Sequence, residues 1–317
     1  MKRIVINSII FFGIIFLLLL ALDKYYTHYY TTHLNVCQKP DWIFSHKNQE
    51  YNLAFIGNSR VYNMLDAPQL EKKLSKSVIN IGVTGSNLSE QFIILDQFYK
   101  RGNKTDFLLM QLDMISFDYN KLPFKLHLPT YMNLFNDAQI QEVYKDNSPL
   151  HKYLIWKFIP FARYMEFSNR YVLYKTLKSG FECSRDLGYD SLRGGIYENI
   201  PYRDNNHAYR YWTVNPIDWK YFNKIIELAK VNKTRLIFYT APFYSETRRF
   251  QLNTAAIYKL IRRQADSLNV PYIQFDTPVY KMANDTLNFY DNNHFNEKGS
   301  RIFTADLADS LNKIIHE

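Results

Sequence analysis

The sequence predicts an α/β fold, a parallel sheet with helices on both faces. Three observations carry this expectation. Short apolar runs of strand length recur at residues 53–56, 77–81, 106–112, 235–239 and 271–275. Segments with helical spacing alternate with them, such as Leu88, Phe92, Leu95 and Tyr99. Turn residues follow the first two runs, Gly57-Asn58 and Gly82 to Gly85. Runs that are apolar throughout suit strands covered on both faces, and their alternation with helices is the mark of parallel strands joined by crossovers.

Taken in order, the chain starts with the basic Met1-Lys2-Arg3. Residues 4–22 are then apolar except for Asn7, Ser8 and Gly13. That length suits one helix across a hydrocarbon layer of about 30 Å. The basic start favours an N-terminus in the cytoplasm and a body facing the periplasm or cell exterior. A cleaved signal peptide competes. The run is long for one, however, and Leu20-Ala21-Leu22-Asp23 offers no small-x-small cleavage site, so the expectation is a transmembrane anchor over residues 1–22. Residues 23–49 read as a membrane-proximal linker whose tyrosines suit the headgroup level.

The α/β domain is expected over residues 50–317. Strand 53–56, helix 63–74, strand 77–81, helix 88–99 and strand 106–112 set its rhythm. The rhythm stops over residues 116–219, rich in Tyr, Phe, Trp and Lys. Stretches 138–144 and 153–174 have helical spacing, and 185–206 reads as loop. The region is too long for a connection and is expected to be a largely helical insertion carrying specificity or partner contacts. Helix 216–231, strand 235–239, helix 246–268, strand 271–275 and helix 297–315 complete the chain.

Composition narrows the function classes. The formal net charge is +9, but the basic residues are scattered and no nucleic-acid-binding motif is present, so a solvated basic surface is expected and no nucleic acid. The chain has 26 Tyr and 23 Phe, which suit carbohydrate sites and membrane borders but also fill cores. Cys37 and Cys183 show no metal spacing and no CxxC pattern. Outside the cytoplasm they could pair, and the sequence leaves that open. His127, His151 and His207 lack acidic or cysteine partners at ligand spacing, so no metal and no cofactor is expected.

Two stretches carry chemistry. In Leu53-Ala54-Phe55-Ile56-Gly57-Asn58-Ser59, Ser59 stands where a helix opens beyond a strand. There a serine either caps the helix or acts as a nucleophile whose own N–H helps hold an oxyanion. Near the C-terminus, Asp291-Asn292-Asn293-His294 offers an imidazole as general base and a carboxylate to fix its tautomer. The alternative is a local cap at Asp291 and a packed His294. Arg60 either binds an anionic group of a substrate or forms a surface salt bridge. Asp276, after the last strand, reads as a capping residue or a second acidic orienter.

With Gly57-Asn58-Ser59-Arg60, Asn80-Ile81-Gly82-Val83-Thr84-Gly85 and Asp291-Asn292-Asn293-His294, the chain resembles the SGNH (GDSL-like) hydrolase superfamily over about residues 52–112 and 233–311. The resemblance implies a three-layer, flavodoxin-like parallel sheet. It implies Ser59 as nucleophile, His294 as general base, Asp291 as orienting anion, and the Ser59 and Gly85 N–H groups as oxyanion donors. A side-chain amide normally expected after the third strand is replaced by Gln111-Leu112-Asp113, leaving Asn87 or Gln111 as stand-ins. The anchor and the Gly-Asn-Ser-Arg turn look like membrane-tethered SGNH proteins of the DltD-like and alginate-acetylation kind. These work beside membrane-bound O-acyltransferases on envelope polysaccharide. The expectation is therefore an extracytoplasmic serine esterase or O-acyltransferase adding or removing acyl groups on a carbohydrate. The alternative is a catalytically silent glycan-binding or scaffold protein.

Overall fold

A computed structural model describes residues 1–34, 38–118, 131–165, 202 and 209–315. The elements are α1 (Lys2–Thr32), α2 (Lys39–Ser45), β1 (Glu50–Ile56), α3 (Ser59–Tyr62), α4 (Ala67–Leu74), β2 (Val78–Asn80), α5 (Leu88–Lys100), β3 (Lys104–Gln111) and α6 (Met114–Phe117). They continue with α7 (Ala138–Asn147), α8 (Leu150–Phe158), α9 (Ala162–Met165), α10 (Pro216–Val231), β4 (Arg235–Thr240), α11 (Thr254–Leu268), β5 (Tyr272–Gln274) and α12 (Glu297–Ile315). The chain divides into two compact units. One comprises Met1–Asp41 with Phe124–Cys183, the other Trp42–Pro123 with Ser184–Glu317.

The second unit is the expected α/β fold. Its five strands are all parallel in the order β2-β1-β3-β4-β5, the flavodoxin-like order, which puts a topological switch beside β1. Strand periodicity splits the sheet's side chains between two cores. Leu53, Phe55, Phe107, Leu109, Ile237 and Tyr239 face one cluster, which they share with Leu70 and Leu74 of α4 and Phe303, Leu307 and Leu311 of α12. On the opposite face Phe238 meets Phe222 of α10 at 5.7 Å between ring centroids. Phe92 of α5 meets Tyr221 of α10 at 5.5 Å. Leu53 to Ile56 are fully buried; each large apolar side chain so placed contributes about 1.5–3 kcal/mol. A sheet covered on both sides offers only its strand ends to a ligand.

Several boundaries differ from expectation, each for a local reason. The helix expected over 63–74 starts at Ala67, because Asp66 accepts the Gln69 N–H as an N-cap and Pro68 sits in the first turn. The helix expected over 246–268 starts at Thr254, after a 3-10 segment Ser245–Phe250. Asn253, just ahead of it, accepts the Trp212 N–H and donates to the Trp212 carbonyl. The helix expected over 153–174 is α8 and α9, broken at Pro160 and at Phe161, whose φ is 66°. Its remainder and almost all of the expected 185–206 loop lie outside the described residues, as do Cys37, Cys183, His127 and His207.

In the first unit, α1 is long and apolar enough to cross a membrane. The linker expected over 23–49 is largely helical: α1 runs on to Thr32, and α2 follows. One face of the extension explains the continuation. Asp23 accepts from Arg163 Nη2 at 2.6 Å and from the Phe161 N–H at 2.9 Å. Thr27 accepts from Arg163 at 2.8 Å, and the ring of Tyr26 meets Phe161 at 4.9 Å. These residues recur every three or four positions, the spacing of one helix face.

Candidate active site

The turn that carries Ser59 is built by crowding. Val61 of α3 packs on Gly57 and Gly82. A Cβ on either glycine would come within 2.3 Å or 2.8 Å of Val61, closer than real contacts allow, so only glycine lets α3 sit this low on β1. Asn80 ties the second turn to the same helix. Its amide donates to the Val61 carbonyl at 2.9 Å, and its carbonyl accepts the Gly82 N–H at 2.9 Å. The N-cap of α3 is Asn58, whose side chain accepts the Arg60 N–H at 3.0 Å. Ser59 is therefore released from capping.

The Ser59 hydroxyl lies 2.9 Å from His294 Nε2. On the other side of the ring, His294 Nδ1 is 3.0 and 3.1 Å from the two Asp291 oxygens. An ionised carboxylate only accepts, so the proton sits on Nδ1 and Nε2 is left to accept from serine. Asp291 is fixed in its own loop by the N–H groups of Asn293 and His294 at 2.8 and 2.9 Å. Burial alone would push its carboxyl up. The hydrogen bond and charge of His294, with those two N–H groups, outweigh burial and hold it below the usual carboxylate range.

The loop carrying this pair is clamped at both ends. Phe289 and Phe295 form an antiparallel bridge. Asn296 caps α12 by accepting the Gly299 N–H at 3.0 Å. A Cβ on Gly299 would fall 1.9 Å from the Asn288 carbonyl, so a glycine is required there too. Asn292 accepts from the Tyr202 hydroxyl through its side chain and from the Tyr244 N–H through its carbonyl.

The second turn is hung on the first. Gly57 O accepts from the Val83 N–H at 3.0 Å and from Ser86 Oγ at 3.2 Å. The Ser86 N–H closes the turn on Val83 O. Gly85, third in that turn, has a φ of 76°, which favours glycine. Neither the Ser59 nor the Gly85 N–H donates to a protein acceptor among the described residues. Asn87 is the N-cap of α5, its side-chain oxygen accepting the Glu90 N–H at 2.9 Å, and its Nδ2 donates to no protein acceptor among the described residues.

Arg60 does not meet the expectation of a substrate-binding or surface residue. It is 2 % exposed. Its Nη1 donates to Asp113 at 2.5 Å and its Nη2 to the carbonyls of Ala241 and Pro242, both at 2.8 Å. The guanidinium carbon lies 3.5 Å from the centre of the Phe243 ring. Asp113 is fully buried. It also accepts from Gln111 Nε2 at 2.6 Å and from the N–H groups of Ile115 and Ser116. The third-strand turn thus spends its polar side chains on a structural knot, and Gln111, 1 % exposed with its amide donating to Asp113, is part of it. Asp276 accepts the Phe243 N–H at 3.3 Å in the turn after β4, and it holds Arg248 at 3.0 Å and the Tyr258 hydroxyl at 2.5 Å. Sequence reading missed the knot because partners 53 positions apart leave no local pattern. The one available signal was a charged residue directly after Ser59, inside an otherwise uncharged turn.

The chain matches no family model and no curated protein sequence. Among solved structures it is similar to a candidate acylhydrolase from Bacteroides fragilis NCTC 9343, at 11% identity, a TM-score of 0.38, and coverage of 82% of this chain and 88% of that one. It is also similar to a GDSL-like lipase from Bacteroides thetaiotaomicron VPI-5482, at 10% identity, a TM-score of 0.38, and coverage of 83% and 89%.

Proposed function

We propose that this chain is a serine acyl hydrolase or acyl transferase of SGNH type, held at a membrane by α1 and acting on O-acyl groups of cell-envelope carbohydrate. The observation that carries the chemistry is the hydrogen-bonded line from Ser59 Oγ through His294 to Asp291. His294 Nε2 takes the hydroxyl proton as Ser59 Oγ attacks the acyl carbonyl. The Ser59 and Gly85 N–H groups receive the oxyanion. Collapse expels the leaving alkoxide, which takes the proton back from His294, and leaves an acyl-serine. Water or a sugar hydroxyl, deprotonated by the same imidazole, then attacks the acyl-serine and regenerates Ser59. Hydrolysis and transfer differ only in that second nucleophile.

The anchor reading draws support from α1 itself. A cleaved leader has no reason to continue as one helix beyond its apolar run into contacts with Phe161 and Arg163. A membrane-bound O-acyltransferase as partner is proposed on the sequence resemblance. A fluorophosphonate probe tests the chemistry: it should label the wild type and not Ser59→Ala. Acyl donor with an oligosaccharide should give acylated sugar above the hydrolysis background; hydrolysis alone would make the protein an esterase.

A silent glycan-binding or scaffold protein is the second reading. The observation favouring it is that the third-strand turn offers no side-chain amide to an oxyanion. Absence of probe labelling, in a protein that still binds oligosaccharide, would favour it.

A further inference from the structure

We propose that α8 lies in the membrane interface, with its aliphatic face among lipid acyl chains beside the point where α1 leaves the bilayer. This rests on reading α1 as a membrane anchor. The helix has an inverted distribution. Leu150, Leu154, Ile155 and Phe158 are 61%, 40%, 44% and 67% exposed, and Ile159 after it is 48% exposed. Tyr153 and Trp156 are instead buried, against the rings of Phe135 and Tyr144 at 6.2 and 5.7 Å. At about 100° per residue the four exposed apolar side chains fall within an arc of roughly 140° that also holds the exposed His151. Lys157 borders that arc on one side and Lys152 on the other, and Lys157 is exposed. A mainly apolar arc, with His151 in it and the exposed Lys157 at its edge, suits a helix lying in the plane of a bilayer, its aliphatic groups along the acyl region and its polar ends at the phosphates.

Position selects lipid over a soluble partner. The chain leaves α8 through Ile159 and Pro160, and the Phe161 N–H lands on Asp23 at 2.9 Å. Asp23 is the first charged residue after the apolar run of α1. Arg163 pairs with the same carboxylate and is itself buried. The end of α8 is therefore held at the level where the apolar stretch of α1 ends. A hydrophobic face at that depth is continuous with the surface that α1 presents to lipid.

The test uses the full chain with Cys37→Ser and Cys183→Ser, and single cysteines introduced as Phe12→Cys, Leu154→Cys or Phe158→Cys. Each is labelled with an environment-sensitive fluorophore and reconstituted in vesicles of phosphatidylcholine and phosphatidylglycerol. A thermal melt matching the parent shows that the fold is kept. Labels at 154 and 158 should shift to the blue, be quenched by brominated acyl chains and resist aqueous iodide, as the label at 12 does. If the label at 12 is in lipid while those at 154 and 158 are quenched by iodide, the interfacial helix is wrong and the anchor stands. Labels at 154 and 158 shielded from both quenchers would mean that protein covers this face, and would overturn the lipid assignment. A label at 12 that brominated lipid does not reach would overturn the anchor reading itself.

Discussion

Two carboxylates sit at the carboxyl end of the same sheet and are put to opposite uses. Asp291 holds an imidazole, a group that can take up and release a proton. Asp113 holds a guanidinium, which cannot. Asp291 is on a loop clamped from outside by a phenylalanine bridge and a helix cap. Asp113 is buried to zero exposure and accepts from Arg60, from Gln111 and from the N–H groups of Ile115 and Ser116 in its own turn. In the proposed mechanism Asp291 faces a partner whose charge changes during the reaction, whereas Asp113 faces a permanent charge.

Exchanging each carboxylate for its amide separates the two roles. The largest effect belongs to the serine: Ser59→Ala should abolish fluorophosphonate labelling and lower turnover by about 10⁵–10⁶-fold, with an unchanged thermal melt. Asp291→Asn should lower turnover by about 10⁴-fold, because an amide favours the wrong imidazole tautomer, and should cost little stability. Asp113→Asn should do the reverse. It leaves a buried guanidinium without its anion and should destabilise by about 3–5 kcal/mol in denaturant titration. Below its melting range it should still accept the probe. If Asp113→Asn loses turnover as Asp291→Asn does while remaining folded, the division between the two carboxylates is false.

The smallest effect is in pH. The Asp291 carboxyl is held low in the folded protein. Its contribution to stability is therefore present above the unfolded value of about 4 and is lost as pH falls through the lower folded value. The stability difference between wild type and Asp291→Asn should hold steady between about pH 4.5 and 6 and narrow below about pH 4. A difference that instead widens on acidification would show that the carboxylate is not stabilised by its loop.

Much of this was legible in the sequence because it is local. The apolar strands, the helices Pro216–Val231 and Glu297–Ile315, and the Asp291–His294 spacing are each set within a few residues. Ser59 and His294 come together because both lie at strand ends of a parallel sheet, a rule of topology that needs no detail. What stayed hidden depends on distant partners. Whether Arg60 points to solvent or to Asp113 is decided by the carbonyls of Ala241 and Pro242, which the chain supplies after β4. The extension of α1 through Thr32 is decided by Arg163 and Phe161. The periodicity of α8 was visible, but not which side of it meets the outside, because periodicity has no sign.

The knot of Arg60 and Asp113 has a consequence for descent. Neither charge tolerates the loss of the other in so dry a place, so the two positions are expected to be inherited as a unit across 53 intervening bonds of chain. Related chains should carry an arginine directly after the serine together with an acid in the third turn, or neither. Where an amide replaces the acid, the residue after the serine should have ceased to be a cation. Joint occurrence of the two would trace this lineage where overall identity has faded, and an arginine found without its acid in an alignment would show that the bond does not bind their histories.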